Sequence, residues 1–436
     1  MSPAQRRALA VWGTAVMVYL LAVFHRTTLG VAGLEAAQRF DIGAAALAGF
    51  TVLQIGVYAA MQIPTGLLVD RFGPRVTLSC AALLMGSGQL LFAYAESYVP
   101  ALLARGVLGL GDALAFVSVL RLVAAHYSPR RYPTLTAATA ALGSVGNFAA
   151  TVPLTLLLAD AGWTTAFAVV GLLTAAYAGI VVWRVRDAPH GEEPQRSDAV
   201  GVRQTLDQVR QAWRVPGTRL RFWVHMSTCF APNVLGLLWG LPYLVQVQGL
   251  TEPQAGVVLS LMVIVAMVCG PAVGELIGRH PAARMPIVLG YLGMATVIWT
   301  VIVAWSGSLP TPVTVTAIAV LAAGGPMSGI AFALVRDYNP LRRVGTASGI
   351  ANVGGFGATT VASLAVGVLI GGDAAAAGAD DFRLAFAAVL AMLVAGAWRT
   401  TVWWLRARAV VLAKVEAGET VPVQIRRRAW DITRAA

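Results

Sequence analysis

Gly66-Leu67-Leu68-Val69-Asp70-Arg71-Phe72-Gly73-Pro74-Arg75 stands where one apolar run ends and the next begins. Two glycines and a proline make a tight turn, and the turn holds one carboxylate and two guanidiniums. Charges grouped at the end of an apolar run mark the level where hydrocarbon gives way to water. Asp70 is placed to cap or pair with the N-terminus of a neighbouring helix, whose dipole favours an anion, while Arg71 and Arg75 hold the turn. The stretch therefore reads as a polar connector between two membrane spans, and its surroundings repeat the pattern.

Hydrophobic residues make up 58% of the 436-residue chain and charged residues only 12%. A soluble protein carries roughly 25% charged residues to keep its surface wet, so lipid is the main solvent here. Mean hydropathy of +0.72 agrees. The net charge of +12 does not indicate nucleic acid, because the basic residues lie in short loops between apolar runs and form no stripe. Cys80, Cys229 and Cys269 fall inside apolar runs without ligand spacing and read as small buried hydrophobes, so no metal is expected. Arg6-Arg7 before an apolar run resembles a secretory signal. That run is long enough to span and has no small-residue cleavage site, so it is expected to be retained as the first span.

Apolar runs predict spans at 9–31, 44–69, 76–95, 98–124, 133–158 and 163–184, then at 221–246, 253–277, 285–305, 311–335, 344–370 and 384–405. The expected fold is an all-α membrane protein of twelve transmembrane helices in two six-helix bundles. The expected divisions are 1–186, a linker at 187–218, 219–407 and a basic tail at 408–436. Arg130, Arg131, Arg184, Arg279 and Arg284 fall on the same side as the N-terminus, whereas the opposite loops carry mainly acids such as Glu96, Asp160 and Asp380. The positive-inside rule then puts both termini in the cytoplasm and the chain in the cell's inner membrane. In the linker, Val202, Leu206, Val209 and Trp213 share one helical face, which reads as an amphipathic helix on the inner leaflet or else as an unstructured connector.

The halves look like repeats. Tyr127-Ser128-Pro129 recurs as Tyr338-Asn339-Pro340, and at the same offset Gly143 matches Gly354 and Gly146 matches Gly357. The turn at 66–71 has a degraded echo at 274–279. Parallel six-helix repeats are a transporter architecture, with the substrate site near the midplane between them.

Charges deep in a span cost roughly 2.5–3.5 kcal/mol each and are usually functional. Span 4 holds Arg105 and Asp112, seven residues apart on one face and about 10 Å apart along the axis. They read as a functional pair or as a structural ion pair. Span 1 holds Tyr19 and, one residue after His25, Arg26 on the face of Tyr19. Arg26 reads as a ligand for an anion or as an arginine snorkelling to the interface. On span 7, Asn233, Gly236, Gly240 and Tyr243 line up beside Trp239. They suit the neutral part of a substrate or a helix-packing stripe equally. Span 7 shows no arginine beyond Arg221 at its very first residue, and no charge is expected deep in the second half. Arg121 reads as a cavity-mouth residue or an anchor, the Arg336-Asp337 pair reads as a loop anchor, and Gly324-Gly325-Pro326 should bend span 10.

The 66–75 turn resembles the signature loop of the major facilitator superfamily, G-x-L-x-D-R-x-G-x-R, at every defined position, and the resemblance extends over 9–405. It implies that Gly66, Asp70, Arg71, Gly73 and Arg75 latch a cytoplasmic gate against helix 11 in the outward-open state. Spans 1 and 4 resemble the anion:cation symporter branch. That likeness implies that Arg26 binds an anionic substrate, with Tyr19 beside it, and that Arg105 and Asp112 couple protons. His25 occupies a place where some members carry a protonatable acid. Spans 2 and 8 lack the arginines of nitrate carriers, and span 5 lacks the G-x-x-x-G-P-x-x-G-G element of drug antiporters.

The expected function is proton-coupled uptake of a small organic anion by alternating access. A proton-linked exporter of amphiphilic compounds and a non-transporting solute sensor are the alternatives. With five scattered histidines and no soluble domain, enzyme chemistry is not expected. The expected partners are the substrate, protons and lipid, with no nucleic acid and no cofactor beyond the proton gradient, and the chain is expected to be a monomer.

Overall fold

A computed structural model describes residues 2–42, 44–189, 191–194, 202–338, 343–370, 378–419, 421 and 431. Its first helix, α1 (Pro3–Phe40), shows how the ends are fixed. Ser2 and Gln5 form a capping box, Pro3 occupies the first turn where its missing N–H costs nothing, and Asp41 closes the helix in the left-handed region. At 38 residues the helix is about 57 Å long, well beyond the ~30 Å hydrocarbon core.

After it come α2 (Ala44–Ala60) and α3 (Gln62–Phe72), a single run bent by 50°. The chain continues through α4 (Pro74–Tyr94), α5 (Tyr98–His126) and α6 (Tyr132–Arg184). Gly162, at φ 74° and ψ 171°, breaks α6 into two arms. The linker carries α7 (Val202–Arg214). Next is α8 (Pro216–Val234), followed by two π-helical stretches, Leu235–Trp239 and Tyr243–Val247, on either side of the short α9 (Gly240–Pro242). Then come α10 (Glu252–Arg279) and α11 (Arg284–Ala304). The tenth arm is broken into α12 (Thr311–Ala322), α13 (Gly324–Ser328) and α14 (Ile330–Tyr338), with the break beside Gly324-Gly325-Pro326. The last two helices are α15 (Val344–Ile370) and α16 (Ala379–Glu416).

Among the described residues ten helices are long and apolar enough to cross a membrane, eleven with α2–α3 as one. With α6 divided at Gly162, the twelve expected arms are accounted for. Their outward faces are apolar: Leu83, Leu103, Val268 and Val368 are exposed, as side chains facing lipid must be. Cys80 is also exposed, which corrects its reading as a buried residue.

Two units emerge from the packing. Unit 1 comprises Met1–Ser128, Thr139–Thr205 and Pro340–Gly349, and unit 2 comprises Pro129–Ala138, Leu206–Asn339 and Ile350–Ala436. Chain order alone would cut at the linker. Instead the first turns of α6 belong with the C-terminal helices, and those of α15 with the N-terminal ones. In unit 1 an aromatic cluster of Phe40, Phe50, Phe92, Trp163 and Phe167 joins α1, α2, α4 and α6. In unit 2 Tyr243, Trp299, Phe382 and Phe386 play the same part. α16 runs beyond the expected span to Glu416, and its Arg408 pairs with Asp431, while the tail's arginines at 426–428 lie outside the described residues.

Candidate functional site

The glycines of α5 bring its charges into the interior. A Cβ at Gly109 would lie 2.7 Å from the Gln54 carbonyl oxygen, so only glycine lets α5 pack this closely on α2. Asp112, 1% exposed, is carried in by that packing. Arg26 on α1 meets it with a two-pronged fork: Nε donates to Oδ2 at 2.9 Å and Nη2 to Oδ1 at 2.7 Å. The guanidinium also lies 4.9 Å from the centre of the Tyr58 ring, and Tyr19 stacks on Phe116 nearby on the same helices. Arg26 keeps 22% of its side chain exposed, so the pair is buried on one side and open on the other.

This pairing corrects one expectation: the partner of Asp112 is Arg26 rather than Arg105. The seven-residue spacing along α5 holds Arg105 and Asp112 about 10 Å apart, whereas α1 runs alongside and brings a third charge between them. Arg105 is fully buried and turned toward α1 and α2. Its Nη1 donates to the His25 carbonyl, to Thr28 Oγ1 and to Gln54 Oε1, and its Nη2 donates to Thr28 Oγ1, at 3.2–3.4 Å. The Phe92 ring lies 4.2 Å below it. Among the described residues it touches no carboxylate, and neutral hydrogen bonds with a π face carry its charge.

His25 is fully buried away from Asp112. Its Nδ1 is 3.1 Å from Gln89 Oε1 and its Nε2 2.9 Å from Thr174 Oγ1, so it ties α1 to α4 and α6.

The 66–75 turn forms a clasp within unit 1. Gly66 lies against the first turn of α15, where a Cβ would come 2.5 Å from the Gly345 carbonyl oxygen. One turn on, Asp70 accepts hydrogen bonds from the backbone N–H of Gly345 (2.9 Å) and Thr346 (2.7 Å) and from Thr346 Oγ1 (2.8 Å). Arg121 on α5 stands 3.4 Å from the same carboxylate, a burial partner rather than a simple anchor. The free N–H groups of a helix start are a ready anion site, and here a side chain of the same protein fills it. Gly73, at φ +86°, ends α3 and opens α4, and the Arg75 N–H donates to Asp187 Oδ1 at 2.8 Å. Arg71 is exposed and lies over the Phe72 ring.

On the far half the expected lining residues separate. Asn233 is half-buried and donates to Cys229 Sγ and Thr359 Oγ1 at 3.3 and 3.4 Å. Trp239 is in the core with its Nε1 on the Ser363 carbonyl, and Tyr243 is packed on Phe382 and Phe386 with its hydroxyl accepting from Gln248 Nε2. The π-helical stretches widen the turn, so a face drawn at 3.6 residues per turn does not persist through 235–247.

Sequence reasoning also missed charge in this half. α8 begins at Pro216, five residues before the expected span, so Arg221 lies inside the helix rather than at its edge, and it is fully buried. His225 is 3% exposed against the Ser328 carbonyl, and Arg284 pairs with Asp337 in the interior. Pro216 at the first helical position was the available signal for the longer α8. The side chain of Arg336 lies outside the described residues.

A family model described as Major Facilitator Superfamily matches residues 15–363. A "Probable sulfoacetate transporter SauU" from Cupriavidus necator is 26% identical over 65% of this chain and 66% of its own length. A "Probable galactarate/D-glucarate transporter GarP" from Escherichia coli is 24% identical over 79% and 84%. Among solved structures, FucP in the outward conformation matches with a TM-score of 0.70 over 90% of this chain and 99% of its own, at 15% identity.

Proposed function

The chain belongs to the Major Facilitator Superfamily and is a multi-pass membrane transporter rather than an enzyme, and within that family we propose that it takes up a small organic anion together with protons. The observation that carries this reading is the two-pronged Arg26–Asp112 pair, closed on the aspartate side and open on the arginine side. A guanidinium held this way presents carboxylate geometry that an organic acid can copy.

Coupling follows from competition for one fork. A proton on Asp112 removes the charge that holds Arg26, and the freed guanidinium then pairs with the anion. Loss of the proton restores Asp112 as the better partner and expels the anion. Proton and anion therefore load and leave together. Arg105 has no acid to exchange with and acts here as a positioning residue, its guanidinium bracing the His25 carbonyl and Thr28 of α1 one turn around Arg26. His25 is a helix tie in this scheme. The Asp70 clasp and its release supply the alternating access. The driving force suffices: each net charge moved inward is worth about 2.3 kcal/mol per 100 mV, roughly a fifty-fold gradient. The named relatives support the anionic class, since sulfoacetate, galactarate and D-glucarate are all acids. No cofactor enters the scheme, and both termini face the cytoplasm of the cell that imports.

Proteoliposomes with radiolabelled sulfoacetate, galactarate and D-glucarate test it. The wild type should concentrate at least one of them in response to an inward proton gradient. Asp112→Asn should abolish that accumulation while sparing substrate exchange at equal pH. Arg26→Ala should remove binding, and Arg26→Lys should weaken it because a point charge does not reproduce the fork. Accumulation by Asp112→Asn, or normal binding by Arg26→Ala, would overturn the proposal.

A further inference from the structure

Arg221 is a fully buried guanidinium that the scheme above does not use. Its Nη2 donates to Thr218 Oγ1 at 2.8 Å, while Nε and Nη1 have no hydrogen-bond partner. Among the described residues no carboxylate pairs with it. The contrast with Arg105 is instructive: that charge is also fully buried, yet it has four hydrogen bonds and an aromatic face. Burying a charge without such compensation is costly, so a group of this kind is normally the resting half of an interaction. Along α8 it lies twelve residues before Asn233, about 18 Å away, and is a separate place on the helix.

What lies beside Arg221 is Tyr132, the first residue of α6, itself fully buried. This turn of α6 is held to unit 2 by modest means. Glycines 274 and 278 of α10 lie against the Pro133 and Arg130 carbonyls, and Thr134 donates to Glu275 at 3.0 Å. Glu275 is 46% exposed, so its bond is in competition with water.

We infer that Arg221 is a second oxyanion site, covered by the first turn of α6 and opened when that turn lifts from α8 and α10. The ligand class is a small carboxylate or sulfonate, which offers the guanidinium the two acceptor oxygens it lacks. This rests on the reading that an organic anion is the cargo, for which Arg221 is a stop distinct from Arg26.

The test is chemical protection in nanodiscs. The three native cysteines are replaced by serine, and Thr218→Cys places a thiol beside the guanidinium, to be labelled with N-ethylmaleimide. Thr218 is fully buried, so labelling reports lifting of the turn. Galactarate, sulfoacetate and D-glucarate are added separately, with galactitol as the neutral control. At least one anion should slow labelling five-fold or more, and galactitol should not. Protection should vanish with Arg221→Gln and persist with Arg26→Ala, which removes the first site. If Arg221→Gln does not fold, Arg221→Lys should show weakened protection. No protection by any of the three acids, or equal protection after Arg221→Gln or Arg221→Lys, overturns the site. Failure of the transport reading shows separately, as unchanged binding or accumulation in the Arg26 and Asp112 variants.

Discussion

The end of α3 and the end of α10 make the same kind of contact with different chemistry. Both press a glycine against the first turn of another helix: Gly66 on α15, and Gly274 on α6. At α3 the contact is completed by Asp70, 2% exposed, which takes two backbone N–H groups and a hydroxyl and faces Arg121. At α10 the place four residues after the glycine is Gly278, and the nearest acid is the half-exposed Glu275, bound to one hydroxyl and to Arg279 of its own helix. The echo at 274–279 thus retains the close approach of backbones and lacks the buried carboxylate. Glycine sets how near two helices come, and the desolvated charge sets how firmly they hold.

Four substitutions can break or sharpen that comparison. The largest effect belongs to Asp70→Ala, which leaves two helix-start N–H groups and the Thr346 hydroxyl buried without the carboxylate they donate to. It should cost about 3–5 kcal/mol, seen as a marked fall in melting temperature in detergent. Next come the glycines. Gly66→Ala forces a methyl to 2.5 Å from a backbone oxygen and should cost roughly 1–3 kcal/mol, with slowed substrate exchange. Gly274→Ala meets the Ala137 side chain at 2.8 Å and the Pro133 oxygen at 2.9 Å, and should melt between Gly66→Ala and the wild type. The smallest effect is that of Glu275→Gln: no resolvable change in melting, with faster labelling at Thr218→Cys. If Glu275→Gln destabilises as much as Asp70→Ala, the two clasps are equal and the comparison fails.

Much of this was legible in the sequence because it depends on neighbours along the chain. The 66–75 turn announced a carboxylate at a span end, and the apolar runs announced twelve arms. Gly324-Gly325-Pro326 marked the break between α12 and α14. Asp112 stood out because an acid deep in an apolar run is costly to insert and is usually functional. Less legible were the far-half candidates. Tyr243 aligns with Asn233 on an ideal helix, with Trp239 beside them, and two π-helical stretches displace that alignment. Arg221 was read as the edge of a span because the apolar run begins five residues after the helix does.

By itself, then, the sequence determined the solvent, the number of arms, the turn chemistry and the charges deep in the first-half spans, since each of these is fixed by spacing along one helix or by transfer from water to lipid. Only the tertiary structure decided which charges meet. Arg105 and Asp112 share a helix face, but the rise of that helix holds them about 10 Å apart, and lateral packing on α1 gives Asp112 to Arg26. The same holds for Asp70, whose partners Gly345 and Thr346 lie some 275 residues further along the chain. Pairing between helices depends on how their surfaces interlock, and a periodicity read along one chain segment carries no information about its neighbour.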